Sequence, residues 1–241
     1  MSRQGRIAGS YGVDAPYVPV WFLVVGGIAL VVGFVLRGIA LWIGVAIAVV
    51  MFVEALIYLN TTLRGKFTAW RTIVADLRLS GKEQVLDVGC GRGLVLITAA
   101  QQLTTGTAVG VDIWSSHDQS GNAEASTIAN AEASGVTERV RIETGDMMEL
   151  PFEDDSFDVV LTSAAVHNLQ DAADRHKALA EMVRVARPGS PIRIVDIAHI
   201  SDYEKELKEL KCLDVTVKHL GFRFWYGNPF VAGRLVAGRA P

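Results

Sequence analysis

The sequence predicts an α/β domain, a parallel sheet with helices on both faces, preceded by a two-helix apolar hairpin. Three observations predict it. Apolar runs ending in an acid recur from residue 85 onward, separated by helix-compatible segments. The first of them breaks into alternating glycines at Gly89, Gly91 and Gly93. Residues 18–59 hold two long stretches almost free of charge. Strand–helix alternation implies parallel pairing, because parallel neighbours need a crossover, usually a helix.

Residues 1–17 read as a tail, and Gly9, Ser10, Gly12 and Pro16 predict a mobile segment. Residues 18–36 form 19 positions without a charge, and residues 39–59 form 21 with one, Glu54. A bilayer core needs roughly 20 apolar residues in a helix. Only Arg37 and Gly38 separate the runs, which suits two antiparallel transmembrane helices. Trp21 and Tyr58 are expected at one interface and Trp42 at the other. Gly26, Gly27, Gly33 and Gly44 allow close helix contact. The first run exceeds the apolar core of a cleavable signal, and a second follows at once. Arg3 and Arg6 precede the hairpin, and Arg64, Lys66 and Arg71 follow it. The positive-inside rule then places both termini and the domain in the cytoplasm, at a cytoplasmic membrane crossed twice. Glu54, near the end of its run, reads as structural or as a contact to a substrate headgroup.

Residues 60–80 read as a linker and leading helix, and residues 81–241 as the catalytic domain. The first strand runs into Asp87 and then the glycines. A turn that takes positive φ and brings bare backbone to a ligand excludes Cβ atoms. The spacing is G-x-G-x-G, whereas the dinucleotide fingerprint G-x-G-x-x-G would place its third glycine where Leu94 stands. Asp87 would also oppose a pyrophosphate. Both departures favour a ligand with an adenosine, no phosphate and a cationic group. A purely structural glycine turn is the alternative.

A helix follows over residues 94–102. Residues 108–113 form a second strand ending in Asp112, 19 residues after Gly93, where an acid accepts ribose hydroxyls. Residues 140–146 give a third strand tip with Asp146, residues 157–162 a fourth, and residues 192–197 a fifth. Helices are expected over 122–134 and 172–186. Ligands of such sheets bind beyond the carboxyl ends of the strands, where Asp87, Asp112 and Asp146 fall together.

These motifs carry a resemblance. VLDVGCGRG at 85–93, VGVDIW at 109–114, TGDMMELPFEDDSFDVV at 144–160 and RVARPGSPIRIVDI at 184–197 resemble class I S-adenosylmethionine-dependent methyltransferases, the broad type 11 group similar to ubiquinone and menaquinone C-methyltransferases. The likeness runs from about residue 66 to 241. It implies a Rossmann-like seven-stranded sheet, its last strand antiparallel, with final strands near 215–220 and 231–237. It implies S-adenosylmethionine as cofactor. Asp87 with the backbone of Gly89, Gly91 and Gly93 would line its methionine and ribose part, and Asp112 would hold the ribose hydroxyls. Ile113 would pack on the adenine, Asp146 would accept from its amino group, and Met147 would lie beside the ring. Thr162, Ser163 and Ala164 would border the reacting sulfonium.

Methyl transfer from an activated donor chiefly needs alignment. A base is the further candidate requirement. His167 follows the fourth strand at the substrate edge and is the candidate catalytic base, with a loop or capping role as its alternative. His117, in a polar insert after strand two, is a second candidate. Cys90 and Cys212 form no metal or disulfide pattern, and no metal is expected. Residues 1–65 carry four basic and two acidic side chains, leaving 19 basic and 24 acidic in the remainder. An acidic domain makes a poor nucleic-acid partner. Residues 222–226 read as packing of the last strands against a helix, or as an aromatic, membrane-facing rim or substrate wall.

The expected function is a membrane-anchored methyltransferase acting on a small, lipophilic or membrane-associated acceptor, with lipid contacted through residues 18–59. A tethered enzyme with a soluble acceptor, and a non-catalytic cofactor-binding scaffold, stay open. The sequence does not fix oligomeric state.

Overall fold

A computed structural model describes residues 7–114 and 123–241. His117 and its polar insert lie outside the described residues, as do Arg3 and Arg6.

The apolar runs form α1 (Tyr17–Leu36) and α2 (Ile39–Asn60), both long and apolar enough to cross a membrane by length and composition. Arg37 and Gly38 turn the chain with φ of 59° and 55°. Small residues set the packing distance. A Cβ on Gly33 would meet the Ala40 carbonyl at 2.7 Å, and one on Gly44 the Ala29 carbonyl at 2.4 Å. Gly26 faces Met51 and Ala48, but Gly27 has open space around it and makes no such contact. Most large side chains of the hairpin are exposed, Trp42 and Phe34 among them. Tyr58 is buried near the end of α2, and its hydroxyl donates to the Asp14 carbonyl at 2.7 Å.

The expected leading helix is present as α3 (Lys66–Asp76), and it joins the hairpin without a break in helical structure. α2 passes through a π-turn (Thr61–Gly65) directly into it. Gly65 is where the turn Gly221–Phe224 crosses this helix, since a Cβ there would sit 1.8 Å from the Arg223 carbonyl oxygen. Trp70 of α3 is fully buried and donates from Nε1 to Ser163 Oγ at 2.9 Å. The tail differs from expectation over residues 7–16, which form an ordered strap. Ser10 N–H donates to Asn130 Oδ1 at 2.8 Å, and Ala8 N–H to Ser134 Oγ at 3.1 Å.

The sheet follows as β1 (Gln84–Val88), α4 (Leu94–Ala100), β2 (Thr107–Asp112), α5 (Glu124–Ala133), β3 (Val140–Thr144), β4 (Val159–Ser163), α6 (Ala172–Val185), β5 (Pro191–Asp196), α7 (Ile200–Glu209), β6 (Leu213–His219) and β7 (Arg234–Arg239). Its order is β3-β2-β1-β4-β5-β7-β6. β7 runs antiparallel to both neighbours, and the other pairings are parallel. Strand alternation feeds two cores. Val85, Val159 and Leu161 pack on the hairpin and α4 side, while Leu86, Val88 and Val160 pack with α6 and α7. The chain order reverses between β1 and β4, which opens a crevice at their carboxyl ends.

Candidate functional site

The glycine turn takes its shape from φ values of 69°, 50° and 80° at Gly89, Gly91 and Gly93. Gly89 and Cys90 N–H both donate to the Val111 carbonyl, which fixes the turn to β2. A Cβ on Gly89 would lie 2.4 Å from Ala165 Cβ, so the turn must stay bare there. Gly93 has a different task. It does not line the cavity; a Cβ there would lie 2.8 Å from Thr127 Cγ2, so it lets α5 approach. Cys90 is buried, and burial pushes its thiol well above the usual range. It packs beneath Gly110 of β2.

The acids converge as their register predicts. Asp87 is 1% exposed; Oδ2 accepts from Leu96 N–H at 2.8 Å, while Oδ1 has no partner. Burial first, then the nearby Asp112, raises its carboxyl well above the usual carboxylate range, against the pull of the Leu96 bond. Asp112 accepts from Gly91 N–H at 2.8 Å and Trp114 N–H at 2.7 Å. Asp146 is exposed at the tip of β3 and accepts from Met148 N–H at 2.8 Å.

The three acids and the turn at Gly89–Gly91 line one cavity of about 810 Å³. Asp87, Gly89, Gly91, Asp112, Ile113, Asp146, Met147, Ser163 and His167 are in its wall. Thr162 is not. It is 1% exposed with an unpartnered Oγ1, because side chains alternate along β4 and only its neighbour Ser163 turns to the cavity. Ala164 follows in a left-handed conformation, φ 51°, costly for a non-glycine residue and common beside functional sites.

His167 stands on the turn Val166–Asn168. Its Nδ1 lies 2.6 Å from Asp196 Oδ1, and Asp196 is 1% exposed at the tip of β5. Asp196 also accepts from Ile197 N–H and from the Tyr203 hydroxyl. A carboxylate on Nδ1 selects the tautomer with its proton there, which makes Nε2 the basic nitrogen. This pairing was readable only in part: Asp196 appears in the sequence as one more strand-tip acid.

The far end of the cavity belongs to elements outside the motifs. Tyr17, Val18 and Phe22 of α1, Tyr58 of α2, Lys66 of α3, and Phe224 and Tyr226 complete its wall. Asp14 of the strap pairs with Lys66 Nζ at 2.7 Å, both groups largely buried, and accepts from the Tyr226 hydroxyl at 3.2 Å. The Tyr226 ring packs edge-on against Tyr58 at 5.4 Å. Within residues 222–226, Phe224 and Tyr226 line the cavity, and the Phe224 ring is buried against Gly233. Glu54 Oε1 accepts from Asn228 Nδ2 at 3.1 Å, which ties α2 to the loop after Tyr226.

The fold and this crevice define a class I methyltransferase-type domain. Residues 86–194 match the family model described as a methyltransferase domain, and the chain carries that domain. An uncharacterized protein of Haemophilus influenzae is 34% identical over 164 residues, 67% of this chain and 61% of that one. A demethylmenaquinone methyltransferase of Symbiobacterium thermophilum is 33% identical over 127 residues, 52% of this chain and 47% of that one. Among solved structures, a geranyl diphosphate methyltransferase in complex with S-adenosylmethionine shares the fold, with a TM-score of 0.58 at 17% identity, covering 73% of this chain and 85% of that one. The chain spans between 37% and 61% of the curated relatives it matches.

The residues fit S-adenosylmethionine. Asp87 offers a buried, unpartnered carboxyl oxygen suited to an ammonium. Gly89 lies in the cavity wall and holds its backbone at a positive φ against Ala165, where a side chain would not fit. Asp112 presents a carboxylate at the β2 tip, in the cavity wall, and Ile113, 59% exposed, offers an apolar face beside it.

Proposed function

We propose that this chain is a membrane-anchored S-adenosylmethionine-dependent methyltransferase acting on a small lipophilic acceptor. The observation that carries the reading is the single cavity joining the glycine turn to the base of the hairpin. When bound, the cofactor supplies a methyl group already activated on a sulfonium. The chain's own residues then do the positioning. Asp87 and Asp112 hold the donor from opposite sides of the turn. Ser163, fixed by Trp70, and the strained Ala164 shape the floor between donor and acceptor. His167, oriented by Asp196, accepts the acceptor's proton at Nε2 where one must leave.

The acceptor end supports a lipophilic ligand. Its walls include Val18, Phe22 and Phe224, and its charges, Asp14 and Lys66, neutralise each other. The exposed apolar surface of α1 and α2 supports membrane anchoring, because an aqueous surface rarely carries so large a patch. Placement of the domain on the cytoplasmic side follows from Arg64, Lys66 and Arg71 after α2, against Arg37 alone in the turn.

Val18→Trp tests the shared cavity. The indole fills the acceptor arm, so turnover falls while cofactor affinity measured by calorimetry stays unchanged. Full turnover on the membrane acceptor overturns the reading.

A further inference from the structure

The loop 226–231 carries a feature that the catalytic reading does not use. Phe230 is 95% exposed, although the loop itself is well held. Asn228 Oδ1 accepts from Phe230 N–H at 3.0 Å and Val231 N–H at 3.3 Å, and Tyr226 N–H donates to the Val231 carbonyl. The same Asn228 amide donates to Glu54 of α2. Gly227 packs on the hairpin, where a Cβ would meet the Phe22 ring at 3.1 Å and Glu54 Cβ at 3.7 Å.

These contacts set a depth. Glu54 precedes the end of α2 at Asn60 by six residues, and Phe22 follows the start of α1 at Tyr17 by five. At 1.5 Å per residue, the loop docks about 8 Å inside the ends of the apolar helices. That matches the depth, roughly 5–10 Å, at which interfacial apolar groups sit at the headgroup–acyl boundary. The exposed faces of Val20, Trp21 and Leu63 lie on the same ends of the helices and extend the apolar surface. Asn228 and Val231 also line the cavity, at the end closed by Val18 and Phe22.

We infer that loop 226–231 is a third membrane-contacting element, which inserts Phe230 into the lipid interface and opens the acceptor end of the cavity to the bilayer. The inference rests on the reading of α1 and α2 as a membrane anchor. Its occupant is lipid, because the loop's apolar tip continues the exposed surface of the hairpin.

The test uses the full chain in vesicles of phosphatidylcholine and phosphatidylglycerol. A fluorescent thiol probe is placed by Phe230→Cys, Ile28→Cys or Glu153→Cys; the native cysteines Cys90 and Cys212 are buried. Lipids brominated high on the acyl chain quench only probes near them. Quenching of the probe at position 230 by about half, with position 28 quenched and position 153 unaffected, is the expected result. An unquenched position 230 beside a quenched position 28 overturns the inference and leaves the anchor standing. An unquenched position 28 overturns the anchor and the inference with it. Quenching at all three positions indicates general adsorption and also overturns the inference.

Discussion

Asp87→Asn separates binding from stability at a single atom. In the free protein Asp87 Oδ1 is buried without a partner, while Oδ2 accepts from Leu96 N–H. An asparagine keeps the acceptor for Leu96 and removes the ionisable group. Because burial raises Asp87 above its ordinary value, the native state holds a proton that the unfolded chain releases over the interval between the two values. Stability therefore falls as pH rises through that interval, and Asp87→Asn abolishes this fall. Binding changes the other way. A charge-assisted bond to the cofactor's ammonium contributes about 1.5–3 kcal/mol, so its loss weakens affinity about 10- to 100-fold. In the parent protein affinity rises with pH across the same interval, as Asp87 ionises, and in the variant that rise disappears. Thermal unfolding and calorimetry over a pH series read both effects. Unchanged affinity, or a stability profile that keeps its slope in the variant, refutes the reasoning.

Three further outcomes follow from the same geometry. Asp112→Ala abolishes detectable cofactor binding in calorimetry, because it strips the β2 tip of its acceptor and frees the Gly91 and Trp114 amides. His167→Ala lowers kcat by about 10²–10⁴-fold with cofactor affinity retained, the range expected for a positioned base; full turnover assigns the residue a structural role instead. Gly65→Val forces a side chain against the Arg223 carbonyl, at a cost of about 1–3 kcal/mol, and lowers Tm by about 5 °C; an unchanged Tm means the helix and the turn Gly221–Phe224 are not held together.

The parts of the site legible in the sequence are those set by local chemistry. Strand-tip acids and glycines mark Asp87, Gly89, Gly91, Asp112 and Asp146, because a parallel sheet delivers successive tips to one edge. Two positions lie away from the cavity wall through local geometry that spacing alone does not resolve. Thr162 sits one residue from Ser163, and period-two alternation sends it to the opposite face. Gly93 belongs to the glycine run but serves the approach of Thr127. The strap and the acceptor end were hidden for another reason. Residues 8–10 are held by Asn130 and Ser134, more than a hundred positions away, so Gly9 and Ser10 read locally as breakers. Asn130 also donates to the Arg92 carbonyl, tying the strap to the glycine turn through one amide. Tyr58 and Tyr226 meet across a similar separation, and neither residue type marks a cavity wall by itself. The continuity of the hairpin with the leading helix is not legible, because Thr61–Gly65, unremarkable in composition, carries the helix on through a π-turn.

The central claim is that the glycine turn and the hairpin serve one reaction at a membrane. Its most direct measurement places the full chain in vesicles with a membrane lipid extract from its source and S-adenosylmethionine labelled in the methyl group. The account predicts label in the organic phase, lost with Asp112→Ala and with Val18→Trp. Label confined to water-soluble products, or transfer untouched by Val18→Trp, contradicts it.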